Sequence, residues 1–107
     1  MGALSGYKIL DFSTLLPGPY ATMVLADLGA EVLKISSKDR YDLVSDWGEK
    51  IEGTDITGPQ AWLGRNKKTI FLDLKKEKSI EVVKKLVKEY DIIVEQFRPG
   101  VMKKLPL

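Results

Sequence analysis

Leu15-Leu16-Pro17-Gly18-Pro19-Tyr20-Ala21-Thr22-Met23-Val24-Leu25-Ala26-Asp27-Leu28-Gly29-Ala30 is the stretch from which the fold is read. It lies between two short apolar runs, Lys8-Ile9-Leu10-Asp11-Phe12 and Glu31-Val32-Leu33-Lys34-Ile35, so strand, helix and strand fit within about thirty residues. That is a βαβ unit. Pro17 and Pro19 suit a helix entrance, because proline has its φ already set and lacks the N–H that the first turn leaves unpaired. Gly29 suits the exit. Tyr20, Met23, Val24 and Leu28 fall at helical spacing on one stripe, which we expect to face the sheet. The backbone N–H groups at the helix entrance then sit at the carboxyl end of the first strand, where open α/β sheets place ligands. A phosphate or acyl thioester group fits there. The plainer alternative is that Pro-Gly-Pro only makes a tight strand-to-helix turn.

Outward from this unit, Ser36 to Gly64 shows no sustained period of 2 or 3.6 and reads as a long irregular excursion, which in a compact domain is usually functional or mobile. Trp47 and Trp62 lie in it, and pinning the loop to the body is their expected role. Lys68-Thr69-Ile70-Phe71-Leu72-Asp73-Leu74 reads as a third strand. A helix is predicted from about Glu77 to Glu89, with Ile80, Val83, Leu86, Val87 and Tyr90 inward and Glu81, Lys84, Lys85 and Lys88 solvated. Asp91 to Glu95 reads as a fourth strand, short and apolar as parallel strands buried on both faces tend to be. Arg98-Pro99-Gly100 is a turn, and Pro99 opens a further helix. The end at Pro106-Leu107, just as that element begins, suggests a piece of a longer protein.

Composition narrows the chemistry. The 107 residues are one domain's worth, 44% hydrophobic and 30% charged, with 17 basic against 15 acidic residues and a net charge of +2. Nothing in that balance points to nucleic acid or a membrane surface. There is no cysteine and no histidine, so thiolate nucleophiles, thiolate metal sites and the commonest general base are all missing. A cytoplasmic protein is expected, since no signal peptide or membrane-length apolar run is present. No G-x-G-x-x-G or Walker-type loop occurs. Arg65-Asn66-Lys67-Lys68 has the groups to hold a phosphate, against the alternative of a solvated strand entrance. Arg98, at the carboxyl end of the fourth strand, is the more suggestive cation. Asp11, Asp27, Asp73 and Glu95 show no spacing that makes an acid–base pair, and we read them as structural, with Asp11 and Glu95, which border the crevice, as the exceptions to watch.

Taken together, Leu4 to Phe12, Pro17 to Val32, Arg65-Asn66-Lys67-Lys68-Thr69-Ile70 with Leu72 to Lys75, and Glu95-Gln96-Phe97-Arg98-Pro99-Gly100-Val101-Met102 resemble the family III CoA-transferases. That group includes carnitine and bile-acid CoA-transferases and the 2-methylacyl-CoA racemases. The resemblance runs in order over nearly the whole chain. It implies that residues 1–107 are an amino-terminal, CoA-binding, Rossmann-like α/β domain with a mostly parallel sheet of about four strands and flanking helices, incomplete relative to the family. It implies an interlocked homodimer, and coenzyme A or acyl-CoA as substrate with no covalently bound cofactor and no metal; a second polypeptide completing the fold is the alternative arrangement. Family CoA contacts fall here on Leu15, Leu16, Ser37, Lys38, Leu63, Arg65, Asn66, Lys67, Lys68, Gln96, Phe97, Arg98, Lys104 and Leu105. Ser37 stands where an adenine-stacking arginine is common, with Lys38 as a substitute, and Gln96 replaces the usual asparagine. The catalytic groups, an aspartate in the transferases and a His and an Asp in the racemases, lie beyond position 107 in the family, so no catalytic residue is assigned. Met23 to Asp27 and Arg40-Tyr41-Asp42 lean towards the racemases. A non-catalytic CoA-binding or assembly module is the alternative of a different class.

Overall fold

In the computed structural model, which describes residues 2–37 and 47–105, the chain alternates strand and helix: β1 (Lys8–Asp11), α1 (Pro17–Asp27), β2 (Glu31–Ser36), α2 (Gly58–Leu63), β3 (Lys67–Phe71), α3 (Glu77–Val87), β4 (Ile92–Val94) and α4 (Val101–Lys104). All pairings between these strands are parallel, in the order β3-β2-β1-β4, with Ile9 opposite both Val32 and Ile92. The chain winds outward from β1 to β3, then returns across the sheet to place β4 on the other side of β1. The order therefore reverses between β1 and β4, and their carboxyl ends flank the switch point where such sheets bind ligands.

Alternation along the strands sends successive side chains to opposite faces. Ile9 and Val32 meet Ala26 and Ala30 on the α1 side, while Leu10, Phe12, Leu33 and Ile35 meet Leu74, Ile80 and Val83 on the α3 side. The α3 register agrees with the sequence for Ile80, Val83, Leu86 and Tyr90, whereas Val87 is half exposed.

Three expectations need correction. The stripe of α1 that packs inward is Pro19, Thr22, Met23 and Ala26, not Tyr20, Val24 and Leu28, which are 47%, 39% and 45% exposed. Only Met23 belongs to both sets. α1 is apolar around most of its circumference, so periodicity alone does not choose a face; small residues and a buried hydroxyl choose it, because they let the helix approach the polar end of β1. Second, β4 is an edge strand with Ile92 and Ile93 about two-fifths exposed, rather than a strand buried on both faces. Third, the excursion after β2 contains structure. Ile51 donates to the Ile56 carbonyl at 2.8 Å, and α2 follows at once, with the Thr57 hydroxyl accepting from the Gln60 N–H at 3.3 Å and a proline in its first turn. Trp62 does pin this segment, edge to face against Tyr20 with centroids 5.9 Å apart. Trp47 is 56% exposed. Among the described residues no helix is long and apolar enough to cross a membrane.

Candidate functional site

Asp11 ends β1 on the α1 side and is completely buried. Its carboxylate accepts the Ser13 N–H at 2.8 Å, the Ser13 hydroxyl, and the Thr22 hydroxyl at 2.6 Å. The Lys67 ammonium stands 3.7 Å away and donates to the Pro19 carbonyl at 3.0 Å. A buried carboxylate is tolerable when its oxygens are saturated in this way. Three chain segments, the end of β1, the second turn of α1 and the start of β3, thus converge on one carboxyl group.

The N–H groups of the α1 entrance are absent or engaged. Pro17 and Pro19 carry no N–H, Tyr20 donates to the Leu16 carbonyl at 2.9 Å, and Gly18 donates to Gln96 Oε1 at 3.2 Å. The expectation of open N–H groups there is therefore corrected: the Gly18 N–H is taken by the Gln96 side chain, in keeping with the tight-turn alternative. Gln96 also donates its amide to the Thr14 carbonyl, so one side chain ties both Pro-flanked turns together. This is possible only because β4 lies beside β1. Gly18 is required here, since a Cβ would overlap the Ser13 side chain and stand 2.7 Å from Gln96 Oε1. Leu15, between the tied groups, adopts φ +66°, a left-handed conformation that costs a branched side chain energy and clusters at functional sites.

The residues singled out from sequence are divided by the fold. Leu15 and Leu16 lie exposed on the bend before α1. Ser37, at the end of β2, borders a narrow cleft of about 10 Å³ with Phe12, Thr14, Leu72 and Leu74. Lys38, like Arg40-Tyr41-Asp42, falls outside the described residues. Leu63 is buried against Met23. Arg65 and Asn66 stand at the opposite end of the sheet, where α1 finishes. The Arg65 guanidinium grips Asp27 at 2.6 and 3.1 Å, and Asn66 adds a bond at 3.0 Å. That grip holds the Asp27 carboxyl below the usual carboxylate range, chiefly through the Arg65 hydrogen bond and against partial desolvation. Lys67 is turned inward; Lys68 remains exposed on the β3 edge. Phe97 packs on Phe12 with centroids 6.2 Å apart.

Arg98 is exposed after β4, and Gly100 at φ +88° swings the chain into α4. Between α4 and the first half of α3 lies a groove of about 860 Å³. Leu74, Ile80, Val101 and Leu105 form its floor, and Lys75, Lys84 and Lys104 rim it together with Glu77 and Glu81. Its volume and mixed lining are those of small-molecule sites. Lys104 and Leu105 are the two sequence candidates it brings together. The sequence reading missed Lys84, because a lysine-rich helix face is normally only a solvated one, and Lys75, which lies in the turn before α3. Among the described residues no cluster of carboxylates is placed to hold a metal ion.

A parallel sheet with helices on both faces, and with a switch point between β1 and β4, defines a Rossmann-like α/β domain. More narrowly, the chain belongs to CoA-transferase family III, whose sequence model matches residues 4–107. It is 39% identical to the succinyl-CoA:glutarate CoA-transferase of Homo sapiens over 97% of this chain and 24% of that protein. It is 38% identical to the alpha-methylacyl-CoA racemase of Homo sapiens, over 98% of this chain and 23% of that one. Its fold matches a CAIB/BAIF family protein from Brucella suis with a TM-score of 0.88 and 32% identity, covering 99% of this chain and 29% of that chain. The chain thus spans about a quarter of the length of the curated relatives it matches.

Proposed function

We propose that this chain is the CoA-binding part of an enzyme that moves CoA between acyl groups, and that it holds the pantetheine-nucleotide carrier at the carboxyl end of its sheet. The observation that carries this reading is the α3–α4 groove, with an apolar floor and a rim of three ammonium groups and two carboxylates, beginning three residues after Arg98 at Val101. An acyl-CoA combines an apolar chain with phosphates, and cations at an exposed rim attract phosphate without the cost of burial. Arg65 and Lys67 are engaged by Asp27 and Asp11, so in this reading the phosphates are taken by Arg98, Lys104, Lys75 and Lys84. The chemistry itself belongs to residues outside the 107, and we propose that the chain binds acyl-CoA without turning it over. A homodimer or a second polypeptide would then supply the reacting groups.

Calorimetric titration of the chain with CoA tests this. Arg98→Ala and Lys104→Ala are each expected to weaken binding by roughly five- to a hundredfold, the worth of one charge-assisted contact. Unchanged affinity in both would overturn the assignment. The racemase reading rests on the near-equal identity to the two human relatives. Joining the chain to the remainder of a relative and assaying CoA exchange between esters against α-proton exchange separates the two.

A further inference from the structure

The Asp11–Lys67 pair calls for a reason beyond stability. Asp11 is 0% exposed and the Lys67 side chain 1%. Replacing such a pair by apolar residues of similar size is often neutral or stabilising, because two charges must be stripped of water to form it. Directional bonds are what apolar residues fail to supply. Here they run from one carboxylate to Ser13 and Thr22, and from one ammonium to the Pro19 carbonyl, while Thr22 also donates towards the Gly18 and Pro19 carbonyls at 3.2 and 3.3 Å. All these groups bracket the link from Ser13 to Pro19, and within that link Leu15 keeps its left-handed φ of +66°. A backbone in that region persists only where its surroundings over-determine it.

We infer that Asp11 and Lys67 are positioning residues that hold the Leu15–Leu16 bend in a single conformation, and with it Thr14, which shares a cleft with Leu74 of the α3–α4 groove. The link to CoA rests on the function proposed above. Neither residue touches the carrier in this assignment. Lys67 serves it from inside, by drawing the first turn of α1 onto β3, although the surrounding basic run suggests a direct phosphate contact.

The test compares the wild-type chain with Asp11→Asn, Lys67→Met and the double variant, by urea unfolding, amide hydrogen exchange at Leu15, Leu16 and Gly18, and CoA titration. Removing one charge strands the other, so both single variants lose stability. The double variant is expected to regain most of it, yet to exchange at the bend roughly tenfold faster than wild type and to bind CoA roughly tenfold more weakly. A purely structural pair would give a double variant in which bend protection and affinity recover along with stability, and that result overturns the inference. Should the double variant not fold, exchange in Asp11→Asn decides: protection at the bend equal to wild type also overturns it. Should the wild type itself fail to bind CoA, the proposed function falls, while the exchange data still decide the role of the pair.

Discussion

The two faces of the sheet are built on opposite principles. On the α3 side, Leu10, Phe12, Leu33, Ile35, Leu74, Ile80 and Val83 make an apolar core, and every lysine of the helix points away from it. On the α1 side, the apolar patch of Ile9, Val32, Ala26 and Ala30 gives way at the carboxyl end of β1 to a carboxylate, an ammonium and two hydroxyls, none of them left without a hydrogen-bond partner. Apolar contacts tolerate small shifts, since they are many and individually weak. Hydrogen bonds to a buried charge do not. The α3 face thus holds the larger apolar core, and the α1 face fixes where the turns at the carboxyl end of β1 stand.

The widest gap between the faces appears when one partner is removed. Lys67→Met leaves Asp11 charged and uncompensated, and we expect it to cost about 3–5 kcal/mol in urea unfolding. Leu10→Ala, on the other face, is expected to cost about 2–5 kcal/mol through lost burial and a cavity. Similar losses would have different remedies. A second, neutralising change at Asp11 restores the first, whereas no single second change refills the site of Leu10. Equal failure of both rescues would erase the distinction. A smaller effect is expected at Gly18, whose α-hydrogen faces Ser13 and Gln96 without room for a methyl. Gly18→Ala should cost about 1–3 kcal/mol by overpacking. It should also raise amide exchange at Leu15 and Leu16, while the amides of α3 stay protected as in wild type.

The same contrast explains what could be read from the sequence. The α3 face was legible because burial there follows apolar periodicity: Ile80, Val83 and Leu86 recur at helical spacing, and the strands that they cover alternate. Strand order could be anticipated only as a parallel βαβ arrangement, and the edge position of β4 depends on which strands lie beside it, a matter no local signal records. On the α1 face periodicity pointed the wrong way, because Tyr20, Val24 and Leu28 are larger and more apolar than the Thr22 and Ala26 that turn inward. The signals that were available are polar: Asp11 followed at two residues by Ser13, and a threonine on a helix otherwise apolar. Gln96 could be marked as a candidate from its turn, but its bond to Gly18 spans 78 positions and needs β4 to pair with β1. The division of Arg65-Asn66-Lys67-Lys68 was likewise hidden. Lys67 and Lys68 point to opposite sides of β3, and which anion each residue of the run meets is decided by the fold.

A second ion pair lies exposed at the opposite end of the sheet, and it gives the smallest effect. Asp27 and Arg65 are joined by a two-pronged bond with Asn66 beside it, the latter at φ +63°, a conformation that asparagine bears more readily than most residues. The grip lowers the Asp27 pKa in the folded chain, and raises that of Arg65 for the same reason. Below the ordinary aspartate value of about 4, the unfolded chain therefore takes up a proton that the folded chain still refuses. The resulting stability is fully present above that pH and is lost as pH falls through the lowered folded value. Because the pair is exposed, salt should screen most of it. Unfolding midpoints measured from about pH 6 down to about pH 3 should fall less steeply in Asp27→Asn than in wild type, and the difference should shrink in high salt. Parallel slopes for the two proteins would mean that this clamp contributes nothing, and that holding the start of β3 against α1 falls to the buried Lys67 alone.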